Sequence, residues 1–172
     1  MRRRYLLVGA LVGALATVGV TTAIGARKGD PGSLFAVALG KKEVSPTTGK
    51  KRAGDLNGRA GFTAVIRNTD GPDSAFCFGY AVKNVEGTPS GAHVHRGRPG
   101  VNGPILINLG DGIGDSGLPG SGVTGAGSGC ETITDTLAGK IKKNPSKYYF
   151  NFHVTPDFPS GAVRGQLFGK RL

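Results

Sequence analysis

Short runs in which apolar and polar residues alternate recur along this chain, and they constrain the fold more than any other feature. Alternation with a period of two is typical of β-strands that bury one face. Seven runs show it, at 33–39, 59–67, 74–85, 91–96, 104–109, 148–155 and 161–168. Turn signals such as Arg98-Pro99-Gly100 separate them. We therefore predict an all-β fold, a Greek-key β-sandwich or flattened barrel of about seven to eight antiparallel strands.

Two segments depart from this alternation. In 134–143, Leu137 and Ile141 fall on one helical face and Asn144-Pro145 follows, which predicts one short helix. The segment 110–129 contains nine glycines among twenty residues and few apolar anchors. That composition predicts a long, mobile Gly-rich surface loop.

The N-terminus has the residue pattern of an export signal. Arg2, Arg3 and Arg4 precede an uncharged apolar stretch that reaches Ala26. This order is typical of a signal peptide, although a stretch of about 20 residues is also long enough to be an uncleaved membrane anchor. We predict a signal peptide or anchor at 1–26, a linker at 27–32 and one β-domain at 33–170. The domain is then secreted or held at the cell surface, and it meets a membrane only through the N-terminal segment.

The chain is strongly basic, which bears on its partners. The formal charge is +11, and removal of residues 1–26, which hold three arginines and no acid, leaves +8. A cluster of cations precedes the second run: Lys41, Lys42, Lys50, Lys51 and Arg52. It predicts an extracellular protein or an anionic polymer as partner, with a solvated basic loop as the alternative. Nucleic acid is not expected, because export separates the protein from it and no recognition motif accompanies the charge.

The chain contains two cysteines, Cys77 and Cys130. An even pair in an oxidising compartment predicts a disulfide. We expect it to join a strand to the far side of the Gly-rich loop.

The chain contains three histidines, and all of them fall opposite the apolar face of their runs. His93 and His95 are two residues apart, so both side chains leave the same face of a strand while Val94 points the other way. His153 likewise alternates with Phe152. Neutral imidazoles that converge from two strands predict a site for copper or zinc. The alternative is three exposed histidines with no common partner.

One arginine lies in the last run at a position that could face the histidines. Arg164 shares the parity of Gln166. It could guide an anion toward that face, or it could be a surface arginine without such a task.

Three motifs resemble the CHRD (chordin) domain family. They are Phe35-x-x-x-Leu39-Gly40-x-x-Glu43-Val44-x-Pro46, then Ala92-His93-Val94-His95-x-Gly97-x-x-Gly100-x-Asn102-Gly103-Pro104, and finally Tyr148-Tyr149-Phe150-Asn151-Phe152-His153 with Pro159-x-Gly161-Ala162-Val163-Arg164-Gly165-Gln166-Leu167. The resemblance extends over about residues 33–168 in order and spacing. It implies a secreted or surface-associated β-domain.

The histidine motif is also similar, more weakly, to that of copper/zinc superoxide dismutases. In that fold an H-V-H strand, a histidine on a late strand and a downstream arginine surround copper, and His93, His95, His153 and Arg164 match these elements. This chain has no fourth histidine and no histidine-rich zinc loop. The departure removes the zinc subsite and one copper ligand, which puts dismutase activity in doubt.

Two functions from different classes follow. The favoured one is a non-catalytic extracytoplasmic binding module, which could also hold a metal ion. The alternative is a copper or zinc metalloprotein with a redox or metal-handling role. We assign no catalytic residue, because no acid, base or nucleophile constellation accompanies the histidines.

Overall fold

A computed structural model describes residues 31–110 and 123–171. All seven predicted runs form strands. The described strands are β1 Pro31–Leu39, β2 Arg59–Asn68, β3 Asp73–Val85, β4 Thr88–Arg96, β5 Ile105–Asn108, β6 Val123–Thr134, β7 Tyr148–Thr155, β8 Phe158–Gln166 and β9 Phe168–Arg171. The last predicted run divides at Leu167 into β8 and β9.

The strands form one antiparallel sheet that curls into a nearly closed, flattened barrel. Its order is β5-β4-β7-β8-β1-β2-β3-β6, with β9 beside β1. β8 and β1 are in register only where Leu39 meets Arg164, so the sheet folds over between them. One half contains β4, β5, β7 and β8, and the other contains β1, β2, β3 and β6. The predicted all-β antiparallel architecture is confirmed.

The core lies between the two halves and is built from aromatic rings. The Phe62 ring on β2 stacks on Phe150 of β7, with 4.7 Å between centroids. Tyr80 on β3 contacts Phe152 of β7 at 5.9 Å. Burial of each such ring stabilises the fold by about 1.5–3 kcal/mol. These contacts fix the faces of β7, so that its other residues point away from the core.

The predicted helix is confirmed as α1, Asp135–Lys143. Thr134 caps it, because its side chain accepts a hydrogen bond from the Leu137 N–H. Ala138 and Ile141 are buried against the barrel. Two 3₁₀ turns, Gly40–Lys42 and Pro145–Lys147, complete the described helical elements. Within 31–110 and 123–171, no helix is long and apolar enough to cross a membrane.

The structure corrects the predicted Gly-rich loop. Residues 123–129 belong to β6, which pairs with β3 along most of its length. The strand forms because the long β3 supplies backbone partners even where β6 offers few side chains to pack. Residues 111–122 of the predicted loop lie outside the described residues, as do residues 1–30.

The disulfide pairing is confirmed, but its location differs from the prediction. Cys77 and Cys130 are bonded, with an S–S distance of 2.12 Å. They lie directly opposite each other on β3 and β6. The bridge therefore joins two neighbouring strands rather than a strand and a loop.

Candidate metal site

The three histidines meet on the face of β4 and β7 that points away from the core. In the antiparallel register His93 is opposite Asn151, and Gly91 is opposite His153. His153 is therefore diagonal to His93. The ring centroids of His93 and His153 are 4.8 Å apart, and those of His95 and His153 are 5.9 Å apart. The strand pairing thus brings together the histidines that the sequence singled out.

The imidazole nitrogens are close enough to share one ion. One nitrogen from each of His93, His95 and His153 lies within 4.8 Å of the other two. For three points so spaced, a common centre lies no farther than about 2.8 Å from each, against a metal–nitrogen distance of about 2.0–2.1 Å. Inward movements of less than about 1 Å would therefore complete the coordination.

Two of the histidines are oriented by backbone carbonyls. Nδ1 of His95 lies 3.0 Å from the carbonyl oxygen of Gly103, and Nδ1 of His153 lies 3.0 Å from that of Pro159. A carbonyl only accepts, so each Nδ1 carries the hydrogen and each Nε2 presents a lone pair. Both Nε2 atoms are buried and have no hydrogen-bond partner within the described residues. Histidines that ligate metals typically show this arrangement.

Burial also sets the charge of the same two imidazoles. Desolvation lowers the pKa of His95, although the hydrogen bond to Gly103 opposes it. Desolvation likewise lowers the pKa of His153, against the bond to Pro159. The neutral form is therefore favoured, and this is the form that binds a metal ion. His93 is only half-buried, so the site is open to solvent on its side.

Glycine at position 91 leaves room for the His93 ring. A Cβ there would come within 2.9 Å of Cε1 of His93. Any larger residue would displace the imidazole. Gly91 lies inside the run predicted as a strand, but no pattern in the sequence connects it with the site.

Arg164 lies beside the site and is only 2% exposed. Its guanidinium donates hydrogen bonds to Oδ1 of Asn102 at 2.9 Å and to the carbonyls of Arg98 and Val101 at 3.0 and 2.8 Å. It also lies over the Tyr149 ring, 3.5 Å from the centroid. The surface-arginine alternative is therefore wrong. A role in guiding anions stays a prediction.

These bonds hold the segment 97–104 over the histidine face. Asn102 continues the network, since its Nδ2 donates to the carbonyl of Val44 at 2.7 Å. The Gly103 N–H donates to the Tyr149 hydroxyl at 3.3 Å. Because the Gly103 carbonyl is bonded to His95, this segment connects Arg164 to the histidine site. Motif spacing cannot reveal such a cover, since it depends on how the loop folds back.

A buried carboxyl group, that of Glu43, lies close to Arg164. Glu43 is 1% exposed, and burial raises its pKa, although the Val44 N–H and the charge of Arg164 oppose this. At Gly161, where φ is +132°, a Cβ would come within 2.6 Å of Oε2 of Glu43. Glycine is required at this position because the positive φ disfavours other residues and because a Cβ would come too close to Glu43. Glu43 and Gly161 fall inside the quoted motifs, but the sequence assigned them no role.

The fold and this cluster define an all-β domain that brings three histidines together on one outer face. The sequence profile of the CHRD domain matches residues 34–167, and the chain belongs to the CHRD family. No similar curated protein and no similar solved structure was found. The similarity to copper/zinc superoxide dismutases therefore rests on the histidine motif alone.

Proposed function

We propose that this CHRD-domain protein is an exported binding module that holds one copper or zinc ion through His93, His95 and His153. The observation that carries the proposal is the pair of buried, unpartnered Nε2 atoms on His95 and His153, in a cluster whose imidazole nitrogens lie within 4.8 Å of one another. Each Nδ1 of the pair is held by a backbone carbonyl. A buried acceptor without a partner costs about 1–3 kcal/mol, and a bound cation would offset this cost.

Two further observations support export. The basic and then apolar N-terminus is typical of a signal peptide or anchor. The Cys77–Cys130 disulfide suits an oxidising compartment outside the cytoplasm. The exposed cations of the Lys41–Arg52 region would face an extracellular protein or an anionic polymer as partner.

The site offers three protein ligands, and the half-buried His93 leaves one side accessible. Structural zinc sites are usually closed by four ligands, whereas sites that act on a substrate keep a position open. This openness favours, as a second candidate, a metal-handling or redox role over a purely structural metal.

The test is a calorimetric titration of the purified, metal-free protein with Zn²⁺ and, separately, with Cu²⁺. We expect one equivalent to bind, and the His93→Ala/His95→Ala variant to lose at least about 100-fold in affinity because two of three ligands are gone. The chain has no histidine outside the cluster, so no further imidazole can replace the two that are removed. Thr63→Ala/Lys83→Ala, a double change on the outer face of the other half, is the matched control.

Unchanged binding in the histidine variant, or no binding in the native protein, would refute the metal site. The redox candidate has its own measurement. Copper-loaded protein should consume superoxide faster than zinc-loaded protein, because zinc does not change oxidation state. Equal rates would leave metal handling as the role.

A further inference from the structure

A groove crosses the outer face of the half that does not carry the histidines. Its volume is about 790 Å³. Small residues that pair across neighbouring strands form its floor, since Gly61 pairs with Ala81 and Ala81 pairs with Ala126. Val37, which pairs with Gly61, forms a wall. A Cβ built at Gly61 would meet nothing within 4 Å, so the space above the floor is open.

The wall of the groove continues as an exposed apolar strip. Val37 is 53% exposed, and Leu39 follows it on the same face of β1. Phe35, on the other side of Val37, contacts the exposed ring of Phe168, with 5.9 Å between centroids. Single exposed apolar residues are ordinary, but a contiguous strip of this kind marks a binding surface.

Two cations stand together at one end of the groove. Arg59 and Lys83 line it and lie directly opposite each other on β2 and β3. No hydrogen bond or ion pair joins either charged group to another described residue. Like charges directly opposite each other in a sheet are destabilising. An anion placed between them would relieve this repulsion.

We propose that the groove binds a single-chain anionic amphiphile of the long-chain fatty acid class. The acyl chain lies over Gly61 and Ala81 along the wall of Val37, and the carboxylate lies between Arg59 and Lys83. The volume is within the range of about 300–1,000 Å³ that is usual for small-molecule sites. A second copy of this chain is a poor occupant, because its own cations would face Arg59 and Lys83.

The experiment measures displacement of an environment-sensitive fluorescent fatty acid by oleate, below the micelle concentration and in detergent-free buffer. The chain has no tryptophan, so its own background fluorescence is small. We expect one oleate per chain. Gly61→Leu should fill the groove and weaken binding by about tenfold or more. Gly139→Leu, an exposed glycine with equally open surroundings on α1, is the matched control.

A second variant tests the anion. Arg59→Gln/Lys83→Gln should weaken oleate binding by about tenfold and leave oleyl alcohol binding unchanged, because the alcohol has no charge. Lys140→Gln/Lys143→Gln removes the same charge from the exposed side of α1 and should change neither. The proposal is overturned if Gly61→Leu binds oleate with native affinity, or if Arg59→Gln/Lys83→Gln weakens the binding of oleate and of oleyl alcohol equally. It is also overturned if the native protein binds anionic phospholipid vesicles but does not bind oleate. Circular dichroism and denaturant unfolding of each variant show that it has folded, independently of the proposed metal site.

Discussion

The two outer faces of the barrel are built from the same alternating pattern but differ in what covers them. On the histidine half, seven of the eight residues of β7 are buried. Segment 97–104 contacts Tyr149 on the face that points away from the core, and Pro159 contacts His153 there. On the groove half, β2 alternates between exposed and buried residues for most of its length. Alternation thus identifies the residues of a strand that face the core. Whether the outward-facing residues are buried depends on the loops that cover them.

The covered face can hold neutral imidazoles, a buried arginine and a buried carboxyl group, since polar atoms there are removed from water and held by backbone groups. The bare face carries small apolar residues and exposed cations, which suit a ligand that brings its own apolar surface. We therefore expect loss of hydrogen bonds to lower the stability and the metal affinity of the histidine face. On the groove face, loss of the disulfide should lower stability, and a change in side-chain shape or polarity should weaken ligand binding.

The largest effect is expected from removal of the disulfide on the groove half. Cys77→Ser/Cys130→Ser opens a link between residues 53 positions apart. The free energy of unfolding should fall by about 4 kcal/mol, because the unfolded chain regains freedom. Denaturant unfolding measures the loss, and metal affinity of the folded variant should stay within about twofold. A large loss of metal affinity would show that the two faces are coupled.

The next effect concerns the cover of the histidine face. Arg164→Gln should lower the free energy of unfolding by about 2–3 kcal/mol, because hydrogen bonds from a charged donor to the loop carbonyls are lost. Metal affinity should fall by about tenfold, since the Gly103 carbonyl no longer holds His95 firmly.

A spectroscopic readout separates this positioning role from simple destabilisation. The absorption spectrum of Co²⁺-loaded protein should change in Arg164→Gln, while Arg67→Gln, an exposed arginine on β2, should leave it unchanged. If Arg164→Gln binds metal with native affinity and spectrum, the segment does not orient the site.

A smaller effect is a change in pH dependence at Glu43. Its pKa is raised in the fold by burial, so the folded state binds the proton more tightly than the unfolded state does. Stability from this group is complete at pH below the unfolded value of 4.5 and is lost as the pH rises through the folded value. Glu43→Gln should therefore gain stability relative to the native protein as the pH rises.

The measurement is the difference in unfolding free energy between native protein and Glu43→Gln from pH 4 to pH 8. Arg164 and Tyr149 are the charged and titratable neighbours, and their state is shared by both proteins, as is that of the histidines. Their contributions to the pH dependence then largely cancel. A difference that stays constant with pH, or falls, would contradict the raised pKa.

The sequence was informative where structure depends on local pattern. The period of two placed seven runs in strands, and the H-x-H spacing with His153 placed three imidazoles on one face. It failed for β6, whose residues 123–129 offer almost no side-chain pattern and form a strand through the backbone of β3. It also could not place Arg164, because its burial depends on a loop that is distant along the chain and folds over it.

The smallest effect is expected on the bare face. Val37→Thr replaces an exposed, branched side chain by one of similar shape and strand preference, and the unfolding free energy should change by no more than about 0.5 kcal/mol. The added hydroxyl should nevertheless weaken oleate binding, because the groove wall becomes polar. Val94→Thr, the same change in the shared core, should cost about 1–3 kcal/mol, since its hydroxyl is buried without a partner. If both variants lose equal stability, the face of Val37 is covered in solution, and the contrast between the two faces is smaller than the structure indicates.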